Sequence, residues 1–173
     1  MNGDKRMRLI LLAVGTLVVI VIISALLSSL GKPKFNSAEL IGIAQQQAEI
    51  VRIANIATST SNSSTTLNSA YTIKLGVGSA EQQLVDYLAK NHVKVSTSVL
   101  ALKKNKQTDA QLNTAVTSST FDSSFVDIMQ TQLTAYQRAL KTAYNANPGP
   151  TGRKLLTVDY NASGLLLTQL QQK

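Results

Sequence analysis

Residues 120–144, TFDSSFVDIMQTQLTAYQRALKTAY, decide the fold. Phe121, Phe125, Ile128, Met129, Tyr136, Leu140 and Ala143 recur at three- and four-residue intervals, which puts them on one face of an α-helix from Thr120 to Tyr144. An apolar stripe of this kind must be covered by other elements. The neighbouring segments offer the cover. After the breaker Asn147-Pro-Gly-Pro-Thr-Gly152, a helix from Arg153 to about Gln172 carries Leu155, Val158, Ala162, Leu165, Leu166 and Leu170.

On the N-terminal side, Ser79-Ala-Glu-Gln82 has the form of a capping box. It predicts a helix to about Lys104 with Leu84, Val85, Leu88, His92, Val95, Val99 and Leu102 on its apolar face. Thr108-Asp-Ala-Gln111 is a second such box and opens a short helix with Leu112, Ala115 and Val116. Asn36-Ser-Ala-Glu39 starts the first helix of the domain, whose stripe is Leu40, Ile43, Ala44, Gln47, Val51 and Ala54. Glu49 and Arg52 fall off that stripe and read as a surface pair, while Ile41, Ile53 and Ile56 make this helix apolar nearly all round. The run TSTSNSSTT at 58–66 weakens the helix, and a shorter helical piece from Thr66 to Leu75 follows unless the first helix continues through. Gly76-Val-Gly78 reads as the turn that ends it.

No segment sustains the period-2 alternation of a half-buried strand. The expected fold class is all-α: an N-terminal transmembrane helix followed by an antiparallel four-helix bundle with short extra helices. The transmembrane element is Leu9–Leu30, LILLAVGTLVVIVIISALLSSL, without a charge, Asn, Gln or Pro. As a helix it is roughly 33 Å long, enough for a hydrocarbon core of about 30 Å. It exceeds the apolar core of a cleaved signal peptide, and its small residues near Ser28, Ser29 and Gly31 make a weak cleavage site. The expected organisation is a cytoplasmic tail over 1–8, a signal-anchor over 9–30, a connector over 31–35 and an extracytoplasmic bundle over 36–173. Lys5, Arg6 and Arg8 before the span, against Lys32 and Lys34 after it, favour this orientation by a narrow margin, with a cytoplasmic domain as the alternative. Pro33 disfavours α geometry at Lys32 and ends the membrane helix there.

The formal charge of +8 overstates the basicity of the domain. Five of the 17 Lys and Arg and one of the 9 acids lie in residues 1–34, leaving 12 against 8 beyond them. The run Lys103, Lys104, Lys106 has no interleaved aromatics on which bases could stack, and nucleic acid is not expected as a partner. With no Cys there is neither a disulfide framework nor a thiol nucleophile. A disulfide-free ectodomain with a Ser/Thr/Asn/Gln surface leans toward a bacterial cell envelope. Asn62-Ser-Ser and Asn161-Ala-Ser are glycosylation sequons that such a setting would leave without meaning.

No chemistry assembles from spacing. His92, the only His, reads as a core-edge side chain bonded to an oxygen. Gly76-Val-Gly78 follows no strand and is no nucleotide fingerprint, and Asn161-Ala-Ser-Gly164 is not a nucleophile elbow. A di-iron bundle takes two Glu-x-x-His motifs, and the residue three before His92 is Ala89. Glu39, Glu49 and Glu81 form no facing pair. Catalytic, cofactor-binding and metal-binding residues are therefore expected to be none, and no cofactor is expected.

The stretches GIAQQQAEIVRIA (42–54), LVDYLAKNHVKVSTSVLAL (84–102) and FDSSFVDIMQTQLTAYQRAL (121–140) resemble the first, second and third helices of a ferritin-like four-helix domain family of unknown function found in bacterial envelope proteins. The resemblance implies a four-helix bundle and brings no established activity. The function expected is that of a non-enzymatic, membrane-anchored bundle that binds or organises an envelope protein partner, held to the lipid bilayer through residues 9–30. The alternative is a sensory ectodomain that binds a ligand, although no second span follows, GLLLTQL at 164–170 being too short.

Overall fold

The stripe of residues 121–143 does become the spine of a helical bundle. The computed structural model describes residues 37–146 and 148–172, all within the unit Phe35–Lys173. The expected tail, membrane anchor, connector and Asn36 cap lie outside the described residues. Helices supply all the regular structure among the described residues: α1 (Ser37–Thr60), α2 (Ser64–Lys90), α3 (Thr97–Leu100) with a 3₁₀ turn at Ala101–Lys103, α4 (Lys106–Thr117), α5 (Phe121–Asn145) and α6 (Gly149–Gln171). Among these residues no helix is long and apolar enough to cross a membrane. The all-helical expectation holds.

The Ser/Thr-rich run ends α1 through its own hydroxyls. Thr58 and Ser59 donate to the carbonyls of Asn55 and Ile56, and Ser63 caps α2 by accepting the Thr66 N–H at 3.4 Å. Only residues 61–63 separate α1 from α2. Gly76-Val-Gly78 is not a turn: α2 runs through it to Lys90, so Ser79-Ala-Glu-Gln82 is helix interior rather than a start. The cost of about 1 kcal/mol per mid-helix Gly is outweighed by burial of Ile73, Val77, Leu84 and Leu88 on the same face. α2 then stops fourteen residues short of the expected Lys104, and His92 stands in the turn beyond it with φ 63. His92 is exposed and on no apolar face.

α4 begins at Lys106, earlier than the Thr108 box predicted, because the Asn105 side chain accepts the Gln107 N–H at 2.9 Å. α5 matches its expected limits within a residue, and Phe125, Met129, Leu133, Tyr136 and Leu140 are almost wholly enclosed. α6 starts at Gly149, inside the stretch read as a breaker, with Pro150 in its first turn where proline is tolerated. Its expected stripe holds at Leu166 and Leu170 but is one residue out of phase at Leu155, Val158 and Ala162. The buried residues are Leu156, Asp159, Ser163, Leu166 and Leu170, whereas Val158 is 54 % and Leu165 74 % exposed.

α1 packs on α2 and α5, and α6 packs on α5 and α2, so the four long helices enclose one core. Bonds between helices give their directions. Gln46 reaches the Gln132 carbonyl at 3.5 Å and Ser61 bonds Asp122, so α1 and α5 run oppositely. Tyr87, near the end of α2, donates to the carbonyl of Pro148 before α6 at 2.7 Å. The start of α1, the end of α2, the end of α5 and the start of α6 therefore share one end of the bundle, called here the near end. Residues 91–120 form a single crossover that returns the chain to the far end. It is laid against α1, with Gln45 donating to the Val99 carbonyl at 3.0 Å and Lys103 to the Gly42 carbonyl at 2.9 Å.

Candidate functional site

Two polar constellations stand out against this apolar core. The first lies between α1, α5 and α6. Gln47, Tyr136 and Asp159 are all buried, Gln47 completely. The Gln47 Nε2 donates to Tyr136 Oη at 2.7 Å and to Asp159 Oδ2 at 3.2 Å, and the Tyr136 hydroxyl donates to the same carboxylate oxygen at 3.3 Å. Gln47 Oε1 meets no hydrogen-bond donor. Burial drives the Asp159 carboxyl up to about 6, against the pull of the Tyr136 and Gln47 hydrogen bonds toward the ionised form. Burial and the neighbouring Asp159 charge push the Tyr136 hydroxyl up as well. A group that titrates near neutrality can exchange a proton, but this one is enclosed by helices and bonded to its own partners. The arrangement can hold a proton inside the bundle.

The second constellation pins the crossover to α1. Arg52 holds Glu49 with two bonds, Nε to Oε2 at 2.7 Å and Nη2 to Oε1 at 2.8 Å, and reaches across to Asp109 on α4 with Nη1. Glu49 Oε1 also accepts the Asn105 backbone N–H at 3.1 Å, and Lys104 stands 3.7 Å from Asp109. The Glu49–Arg52 pair expected from the sequence therefore forms, but it is no surface pair: Glu49 is only 5 % exposed beneath the crossover. The hydrogen bond to Glu49 is the largest influence raising the Arg52 guanidinium, ahead of the opposing effect of burial. Both charges are consumed in holding the crossover.

Sequence reasoning placed Gln47 on the buried face of α1 and Tyr136 on that of α5. It missed Asp159, which takes the place of an apolar residue on α6. The signal was present: Leu156, Asp159, Ser163 and Leu166 repeat the spacing of Leu155, Val158, Ala162 and Leu165 one residue later and continue to Leu170. Glu39, Glu81 and His92 join neither constellation. Among the described residues no three His, Cys, Asp or Glu side chains converge as metal ligands.

The outer surface has three further features. A groove of about 470 Å³ between α4 and α5 is lined by Gln107, Gln111, Thr114, Ser124 and Asp127 among others. The outer strip of α6 shows Val158 and Leu165 to solvent. At the near end, exposed Lys and Arg side chains gather, and the Arg153 guanidinium lies 5.3 Å from the centre of the Tyr144 ring. No known protein family, curated protein or solved structure matches this chain.

Proposed function

We propose that this chain is a membrane-anchored helical bundle that binds or braces a protein partner in the cell envelope without catalysing a reaction. The observation that carries the reading is the run Leu9–Leu30, long enough to span a bilayer and followed after six residues by the first helix of the bundle. In this reading residues 1–8 are cytoplasmic, 9–30 are the signal-anchor, 31–35 connect, and 36–173 stand outside. The interior supports a non-catalytic role: Gln47, Tyr136 and Asp159 engage one another, and Arg52 and Lys104 balance Glu49 and Asp109. The single long crossover between two helix pairs supports the ferritin-like resemblance, since that connection is the one such bundles use.

Protease added to intact cells lacking an outer barrier tests the arrangement. The expected result is degradation of the bundle with survival of a membrane-protected fragment containing residues 9–30. Complete protection of the chain, with a digested surface control, reverses the orientation. Release of the intact chain by alkaline carbonate removes the anchor.

A further inference from the structure

The bundle is electrically lopsided. No Lys or Arg occurs in residues 53–73, 107–137 or 155–172, which build the far end and much of the shaft. The near end holds Lys90 at the close of α2, Lys94 and Lys103 in the crossover, Lys141 near the close of α5, and Arg153 and Lys154 in the opening turns of α6. All six are exposed. Only Glu39, Glu81 and Asp86 oppose them there. The exposed Tyr144 lies beneath Arg153 in the same region, and tyrosine is a residue that settles at membrane–water interfaces.

The chain also reaches the bundle at this end. Ser37 opens α1 there, and seven peptide units, a contour of at most roughly 25 Å, separate it from Leu30. We infer that the near end of the bundle is a lipid-docking face whose ring of Lys and Arg binds the anionic headgroups of the membrane that holds residues 9–30. This rests on the anchored reading above and adds an electrostatic contact to it. Each Lys or Arg close to an anionic surface strengthens attachment roughly fivefold, and the attraction is screened over about 10 Å at 0.1 M salt. The face would hold the bundle upright, with its Ser/Thr-rich far end, where Asp122 stands, directed away from the lipid.

The chain has no Cys, so single labels are easily placed. Full-length Asn145→Cys and Asn62→Cys proteins, labelled with a fluorophore at the near and far ends, are reconstituted in vesicles that carry a headgroup-attached nitroxide quencher. One set of vesicles is phosphatidylcholine alone, the other phosphatidylcholine with one-third phosphatidylglycerol. The expected result is quenching at residue 145 that rises severalfold with phosphatidylglycerol. It should fall in 0.5 M salt and in Lys94→Glu/Lys141→Glu/Lys154→Glu, while residue 62 stays unquenched. Equal quenching of residue 145 in both lipids, or equal quenching at both sites, overturns the docking face. An alkaline carbonate wash reads the anchor separately, because retention through residues 9–30 should not depend on lipid charge or on the triple variant. If the wash releases the chain, the anchored reading falls. Docking then stands if the chain sediments with phosphatidylglycerol vesicles in a salt-sensitive way, and falls if it does not.

Discussion

The Tyr136 hydroxyl and the Asp159 carboxylate meet 3.3 Å apart in the centre of the bundle, with the fully buried Gln47 amide bonded to both. This carboxyl binds its proton more tightly in the folded chain, at about 6, than at its ordinary value of 3.8. Its contribution to stability is therefore complete below pH 3.8 and is lost as pH rises through 6. The loss amounts to about 3 kcal/mol. Asp159→Asn keeps the shape and removes the ionisation. In urea unfolding, the variant should match the parent at pH 4 and exceed it at pH 7. Equal stabilities at both values would show that Asp159 titrates normally.

The Glu49–Arg52–Asp109 clamp ties the crossover to α1, and its buried member, Glu49, has Arg52 as its counter-charge. Arg52→Ala leaves Glu49 enclosed without its cation and should destabilise by about 3 kcal/mol. Hydrogen exchange should rise first in residues 97–112. Uniform exchange across all helices would mean that the clamp does not control the crossover.

Two glycines should respond oppositely to alanine. A Cβ on Gly152 would come 2.8 Å from Pro148 Cβ and 3.2 Å from the Tyr87 hydroxyl, so Gly152→Ala should cost about 1–3 kcal/mol through displaced backbone. Nothing lies within 4 Å of such a Cβ on Gly76, and Gly76→Ala should stabilise α2 by about 0.5–1 kcal/mol. Thermal melts of the pair decide the matter, and a loss at Gly76 would restore the turn there.

Phe125→Ala should destabilise by about 3–5 kcal/mol, since this side chain is fully enclosed. The phase of α6 is tested by adjacent leucines: Leu166→Ala should cost about 2–4 kcal/mol and Leu165→Ala within about 0.5. Reversed values would turn the helix so that Leu165, with Val158 and Ala162, faces the core.

These contrasts mark how far the sequence can be read. α5 was legible because its large apolar residues occupy one face, leaving the helix a single way to bury them. α6 was legible only at Leu166 and Leu170, because before them the more apolar series, Leu155, Val158 and Ala162, lies one residue from the buried one, which carries Asp159 and Ser163. Only the facing Gln47 and Tyr136 make that burial tolerable, and they arrive from elsewhere in the chain. Glu49 was misplaced for a related reason: its cover is the crossover, whose docking on α1 through Asn105 and Asp109 no local periodicity announces. The glycines of α2 and the left-handed His92 reflect the weakness of local punctuation when tertiary packing decides where a helix ends.

The Gln47–Tyr136–Asp159 contact also indexes the alignment of the two helical hairpins. Gln47 belongs to the first hairpin, and Tyr136 and Asp159 to the second. Aliphatic side chains could trade neighbours if one hairpin slid past the other by a helical turn, about 5.4 Å. The polar groups could not, because such a slip would take both acceptors from the buried Gln47 amide and leave the Asp159 carboxylate with the Tyr136 hydroxyl alone. One polar contact thus selects a single register from among the several that the hydrocarbon surfaces alone would tolerate.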